Sequence, residues 1–244
     1  MGLNVEAAAA TNIGLVRSNN QDSFGMDEDL GLYVVCDGMG GAAGGEIASQ
    51  LAVETFLAIA RQELQSGTHT ADALHRAVAA ANRAVTARAQ WDTRFRGMGS
   101  TLVAARIFYN HLTIINVGDS RAYLIRNGDP TQLTQITMDH SVVAERVRSG
   151  LMTPDEAERS SLQSVITRAI GAEPDVHPDL YEVTLESTDT LLLASDGLTR
   201  SVPPQEIAAT IANNPSSAAC EQLIALANEH GGSDNITCIV ITNA

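Results

Sequence analysis

The sequence predicts an α+β chain in which two antiparallel sheets pack together with helices outside them. Three observations carry that prediction. Short apolar runs follow one another at residues 101–108, 111–117 and 122–125, joined by tight turns, and the last leads into the hairpin dipeptide Asn127-Gly128. Strands so closely spaced pair antiparallel, because a parallel crossover needs about a dozen residues or more. Two long stretches with helical apolar spacing, 46–64 and 70–88, come as a pair instead of alternating with strands, which argues against a doubly wound sheet.

Taken in order, residues 4–10 read as a first strand and 11–22 as a polar segment. Residues 23–26 and 32–36 form a hairpin around Asp27-Glu28-Asp29. The second run ends in Asp37 and then in Gly38, Gly40, Gly41, Gly44 and Gly45, so a buried strand delivers a carboxylate to a loop that allows close backbone approach. Thr70 is placed to cap the second long helix, whose apolar side is Ala73, Leu74, Ala77, Val78, Ala81 and Val85. Residues 131–133 are the expected return strand after Asn127-Gly128. Residues 139–172 break into short helical pieces, one opened by the capping box Thr153-Pro154-Asp155-Glu156, and read as an insertion or flap.

Strands resume at 180–185 and 190–194. Helices are expected from 203 to about 213 and over 216–230, the second stopped by Gly231-Gly232, before a last strand at 236–241. No repeat, linker or low-complexity segment divides the chain. Residues 1–244 are therefore expected to be one domain, with the flap at about 139–172 inside it.

Hydrophobic residues make up 44% of the chain and charged ones 18%, enough apolar surface for a sizeable core. The net charge of −14 argues against nucleic acid or an anionic membrane as the main partner. No apolar run reaches the roughly 18 residues that cross a bilayer, and no signal-like leader opens the chain, so a cytoplasmic location is expected. Cys36, Cys220 and Cys238 lie far apart within apolar segments and read as core thiols. None stands in an anion-binding loop followed by arginine, as a cysteine nucleophile for phosphate would require.

Aspartates recur at the ends of apolar runs and beside glycine: Asp37-Gly38, Gly118-Asp119 and Asp196-Gly197, with Asp234-Asn235 just before the last strand. Each alone is equally well a turn. Together they suit hard cations such as Mg²⁺ or Mn²⁺, which take oxygen ligands, and glycine lets a backbone carbonyl approach the ion. Two ions roughly 3.5–4 Å apart can activate water for in-line displacement at phosphorus. Asp37, Asp196 and Asp234 could build such a pair.

The segments Arg17-Ser-Asn-Asn-Gln-Asp22, Asp37-Gly-Met-Gly-Gly41, Gly97-Met-Gly-Ser-Thr101, Gly118-Asp-Ser-Arg121, Thr137-Met-Asp-His140, Ser195-Asp-Gly197 and Asp234-Asn235 together resemble the metal-dependent PPM/PP2C protein serine/threonine phosphatases. Their order and spacing match across nearly the whole chain, as in a minimal bacterial-type catalytic domain. The resemblance implies a central β-sandwich with helices on both faces, a four-layer αββα arrangement, with the metal cluster at one end. It further implies that Asp37 bridges two Mg²⁺ or Mn²⁺ ions, that Gly38 lends its carbonyl to one, and that Asp196 and Asp234 complete the other. Asp22 would act mainly through metal-bound water and Arg17 would hold the substrate phosphate. Asp119 and Asp196 match the residues that hold a third ion in many bacterial members, next to the flap.

The activity so implied is hydrolysis of phosphoserine and phosphothreonine by a metal-bridging hydroxide, without a phosphoenzyme intermediate. Its partners would be a phosphorylated protein and an opposing Ser/Thr kinase, and the chain would work as a monomer. Met39 stands where many eukaryotic members carry a histidine proposed as general acid, and a thioether has no proton to donate. His140 and Arg121 read as structural, and Glu46 as a favourable charge at a helix start. Two rivals remain: a phosphohydrolase for small phosphate esters, with comparable or better kcat/KM on metabolites, and a non-catalytic phosphoprotein-binding module, which would not need the full set of aspartates.

Overall fold

A computed structural model describes residues 5–243, so Asn4, where the first strand was expected to begin, lies outside the described residues. The chain runs through β1 (Val5–Asn12), the hairpin of β2 (Asp22–Asp27) and β3 (Leu32–Met39), and two long helices, α1 (Gly41–Gln65) and α2 (Thr70–Trp91). Next come β4 (Gly99–Ser100), β5 (Leu102–Phe108), β6 (His111–Val117), β7 (Arg121–Ile125) and β8 (Leu133–Gln135). The short helices α3 (Val142–Arg148) and α4 (Pro154–Glu158) precede β9 (Asp179–Thr184) and β10 (Thr190–Ala194). After them stand α5 (Asp196–Thr199), α6 (Pro204–Ala212), α7 (Ser216–Glu229) and β11 (Ile236–Asn243).

The strands form two sheets, one in the order β1-β11-β10-β7-β8 and the other β2-β3-β5-β6-β9, with β4 on the end of β3. Every pairing between them is antiparallel. Alternation along each strand divides the side chains between two buried faces. Tyr33, Val35, Val103, Leu191, Leu193 and Ile239 meet between the sheets. Their neighbours Leu32, Val34 and Cys36 turn the other way, onto Phe56, Leu74 and Val78 of α1 and α2. Leu192, Cys238 and Val240 likewise turn onto Ile207 and Leu223 of α6 and α7. The result is the α+β sandwich of four layers that the apolar runs led one to expect. Because central strands are covered on both faces, they read in sequence as unbroken apolar runs.

Several boundaries differ from expectation for identifiable reasons. α1 begins at Gly41, inside the glycine run, where Gly45 has to be glycine: a Cβ there would stand 2.7 Å from both the Gln21 side chain and the Gly38 carbonyl. Glu46 is consequently beyond the first turn and is no charge at the helix start. Thr70 is the first residue of α2 and not its cap; its hydroxyl instead accepts a hydrogen bond from Arg106. Asn127, with a left-handed φ of 55°, stands inside the first of two short 3-10 turns, Arg126–Gly128 and Pro130–Gln132, which delay the returning strand to Leu133. The three cysteines are free and buried, as core thiols should be.

Between β8 and β9 the chain leaves the sandwich. The capping box at Thr153 forms with both bonds, the Thr153 hydroxyl accepting from the Glu156 N–H and the Glu156 carboxylate from the Thr153 N–H. Short bridges Ser100↔Ile170 and Ser141↔Ile166 fasten the segment's ends beside the strand termini that carry the aspartates.

Candidate active site

Six of the seven expected site residues line one cavity of about 430 Å³. Arg17 comes from the segment joining β1 to β2, Asp37 and Gly38 from the end of β3, and Asp119 from the turn between β6 and β7. Asp196 opens α5 directly after β10, and Asp234 precedes β11. The seventh, Asp22, pairs across from Asp37 at the start of β2 but is not on the cavity wall. Its side chain is buried, and Oδ2 accepts a 2.8 Å hydrogen bond from the Ser195 hydroxyl.

Glycine is required where backbones cross. A Cβ on Gly38 would lie 2.0 Å from the Gly45 carbonyl oxygen, and one on Gly197 would lie 1.9 Å from that of Asn235. The first contact packs the end of β3 against the start of α1. The second brings the start of α5 against the approach to β11. Both aspartates next to these glycines are thereby carried to the cavity on rigid strand and helix ends.

Polar side chains then hold the loops in register. Asn235 accepts the Gln21 N–H at 2.8 Å and donates to the carbonyls of Ile13 and Asn19, each at 2.9 Å, binding the Arg17 segment to the start of β11. His140 accepts the Gly118 N–H at its Nδ1, 3.1 Å away. A backbone N–H can only donate, so the neutral ring carries its proton on Nε2 and directs it to Asp179, at 3.1 Å. His140 is therefore a structural group behind the Asp119 turn, as expected. Arg121 is structural too, bound to Asp139 through Nε at 3.0 Å and Nη2 at 2.7 Å.

Carboxylates dominate the electrostatics. Burial, opposed by the Ser195 and Thr237 hydrogen bonds and reinforced by Asp196 and Asp234, pushes the Asp22 carboxyl up to about 7. Burial and then repulsion from Asp22, Asp196 and Asp119 hold Asp37 well above the ordinary carboxylate range. Asp119 is raised to about 7 by burial and Asp196, against the pull of Arg200. Two arginines answer part of this charge. Arg17 donates from Nη2 to Asp234 Oδ2 at 2.7 Å, and Arg200 bridges Asp119 and Asp196, Nη2 to one and Nη1 to the other, both at 2.7 Å.

Hard divalent cations fit this donor set. Asp22 Oδ1 and Asp196 Oδ1 are buried with no hydrogen-bond partner, and the surrounding carboxyls repel one another when ionised. Among the described residues no three His, Cys, Asp or Glu side chains form a ready-made coordination group. Mg²⁺ and Mn²⁺ fill the positions that carboxylates leave open with water and other oxygens.

Arg200 and Thr101 carry roles that the sequence did not single out. Arg200 follows Asp196 by four residues, the spacing of a helical ion pair, so that half of its contact was visible. Thr101 lies within a quoted segment but has no chemical signature of its own.

The family model of protein phosphatase 2C matches residues 6–236. The serine/threonine phosphatase stp of Listeria welshimeri is 34% identical over 249 residues, covering 97% of this chain and 95% of that protein. The crystal structure of the Mycobacterium tuberculosis serine/threonine phosphatase PstP/Ppp aligns with a TM-score of 0.90 at 37% identity, over 98% of this chain and 99% of that one. A structure of the catalytic domain of the phosphatase PstP in complex with two manganese ions aligns with a TM-score of 0.88 at 36% identity, over 98% of each chain.

Proposed function

The chain belongs to the protein phosphatase 2C family, and from that premise we propose that it hydrolyses phosphoserine and phosphothreonine in proteins by one in-line displacement, with no phosphoenzyme intermediate. The observation that carries this reading is the convergence of Asp37, Asp119, Asp196 and Asp234 with Arg17 on one cavity that no cysteine lines among the described residues. Asp37 would bridge two Mg²⁺ or Mn²⁺ ions, with the Gly38 carbonyl completing one site and Asp196 and Asp234 the other. Asp22 would support the pair from behind, through solvent, and a third ion would lie between Asp119 and Asp196. When bound, the ions acidify water and neutralise charge on the phosphate.

Arg17 is half exposed at the rim, as a phosphate-orienting group must be. A guanidinium has five N–H donors, so its bond to Asp234 leaves others to meet the phosphate oxygens. Asp22 accepts the Ser195 hydroxyl hydrogen bond on Oδ2, which leaves Oδ1 buried without a hydrogen-bond partner. Met39 lines the cavity without a proton to give, and no histidine lines it among the described residues. The leaving alkoxide would therefore take its proton from solvent in the cavity or from another group there.

This reading implies an opposing Ser/Thr kinase and a phosphoprotein partner. No described helix is long and apolar enough to cross a membrane. The test is phosphopeptide hydrolysis with and without Mn²⁺, with Asp37→Asn as control. Faster turnover on small phosphate esters than on phosphopeptides would overturn the substrate class but leave the metal chemistry intact.

A further inference from the structure

Arg200 makes three contacts that tie separate parts of the molecule together. Nη1 meets Asp196 Oδ2 at 2.7 Å, and Nη2 meets both Asp119 Oδ2 at 2.7 Å and the carbonyl of Gln163 at 3.0 Å. Asp119 and Asp196 are 4% and 8% exposed. The guanidinium therefore sits against two nearly buried carboxylates and also holds the segment after α4, whose residues Ser164 and Ile166 line the same cavity. Arg200 follows α5 directly and keeps helical backbone, so it lies one turn on from Asp196 and on the same side, as i and i+4 do.

We propose that Arg200 is a resident cation that competes with a divalent ion for the Asp119–Asp196 pair, and that the ion's entry releases the flap at Gln163. The inference rests on reading the cavity as a metal centre. A divalent ion held by Asp119 and Asp196 would stand beside the guanidinium that already takes Oδ2 of each, and two positive groups at close range on one carboxylate pair repel. Arg200 must therefore swing away when the ion enters. The Gln163 carbonyl then loses its donor, and the cavity wall at Ser164 and Ile166 loses a tether. The outer ion is thereby made weaker than the two core ions, and its binding is coupled to the position of the flap.

Mn²⁺ titration of the full chain, read by electron paramagnetic resonance of free Mn²⁺, tests the competition directly. Arg200→Gln should tighten the outer site by about tenfold or more, and by more than the core sites, which share only Asp196 with it, since a full opposing charge is removed. Arg200→Lys, which keeps the charge but not the fork, should fall between. Asp119→Ala should abolish the outer site in either background. Amide exchange over residues 160–167 tests the coupling: it should accelerate in metal-free Arg200→Gln, and in the unaltered protein once Mn²⁺ exceeds core saturation. The second arm needs no variant and so stands even where a substitution disturbs folding. An outer-site affinity unchanged or weakened in Arg200→Gln overturns the competition, and exchange indifferent to both changes overturns the coupling. Absence of all Mn²⁺ uptake overturns the metal reading itself, whereas intact core binding with an unresponsive outer site overturns this inference alone.

Discussion

Thr101 and Asp37 bind each other through reciprocal hydrogen bonds: the Thr101 hydroxyl accepts the Asp37 N–H at 2.8 Å, and the Thr101 N–H donates to the Asp37 carbonyl at 2.8 Å. The hydroxyl is held in turn by Ser120 at 2.7 Å, so the end of β3, the start of β5 and the Asp119 turn share one network. Asp37 is thus positioned by its backbone, which leaves its carboxylate for the cavity. Thr101→Val keeps the shape but leaves the Asp37 N–H without its acceptor, at a cost of about 1–3 kcal/mol. Urea unfolding should show that loss, and Mn²⁺ affinity should weaken with it; an unchanged midpoint would mean that the hydroxyl does not hold Asp37.

Arg17 supports a different prediction, because its bond to Asp234 is exposed and such pairs add only about 0–1 kcal/mol to stability. Arg17→Ala should fold normally yet lose roughly ten- to hundredfold in kcat/KM on a phosphopeptide, the worth of a charged hydrogen bond to phosphate. Arg17→Lys should recover only part, since a point charge does not reproduce the fork. Full activity in Arg17→Ala would remove Arg17 from substrate binding.

Gly38→Ala should be damaging out of proportion to one methyl group. The added carbon would meet the Gly45 carbonyl at 2.0 Å, and that partner is backbone at the start of α1. Relief requires moving α1 or the end of β3, at a cost of about 1–3 kcal/mol, and either movement displaces the Asp37 carboxylate. A thermal melt together with Mn²⁺ titration would detect both effects. Wild-type values in both would show that the strand end is not tightly packed.

His140 gives the acid limb of stability. Burial lowers its pKa from the ordinary histidine value, with Asp179 opposing only in part. Protonation would place a second N–H against the donor of Gly118, so the contribution is present above about pH 6.5 and is lost as pH falls through the lowered value. His140→Asn keeps an acceptor but cannot titrate. Its melting temperature should fall less than the parent's between pH 7.5 and pH 5, and parallel profiles would contradict the assigned bond.

The sandwich was legible because its strands are buried on both faces and announce themselves as apolar runs, with the aspartates marking where several of them end. The start of α1 was not. Glycine has poor helix propensity, so the run gave no helical signal, and the approach of Gly45 to Gly38 and Gln21 that requires a glycine there is a tertiary contact. The cavity aspartates were readable as types beside apolar runs and Arg17 only through the family resemblance, but their restraints were not. Ser195 reaches Asp22 across 173 positions, and Arg200 reaches Asp119 across 81. Contacts at that range leave no periodic trace in sequence.

The most direct measurement is the rate of phosphopeptide hydrolysis by the purified chain in excess EDTA, in Mn²⁺, and in Mn²⁺ with Asp37→Asn. Turnover only with Mn²⁺, and its collapse in a folded Asp37→Asn protein, is the predicted result. An undiminished rate in EDTA, from protein shown to be folded, would contradict the metal-dependent mechanism.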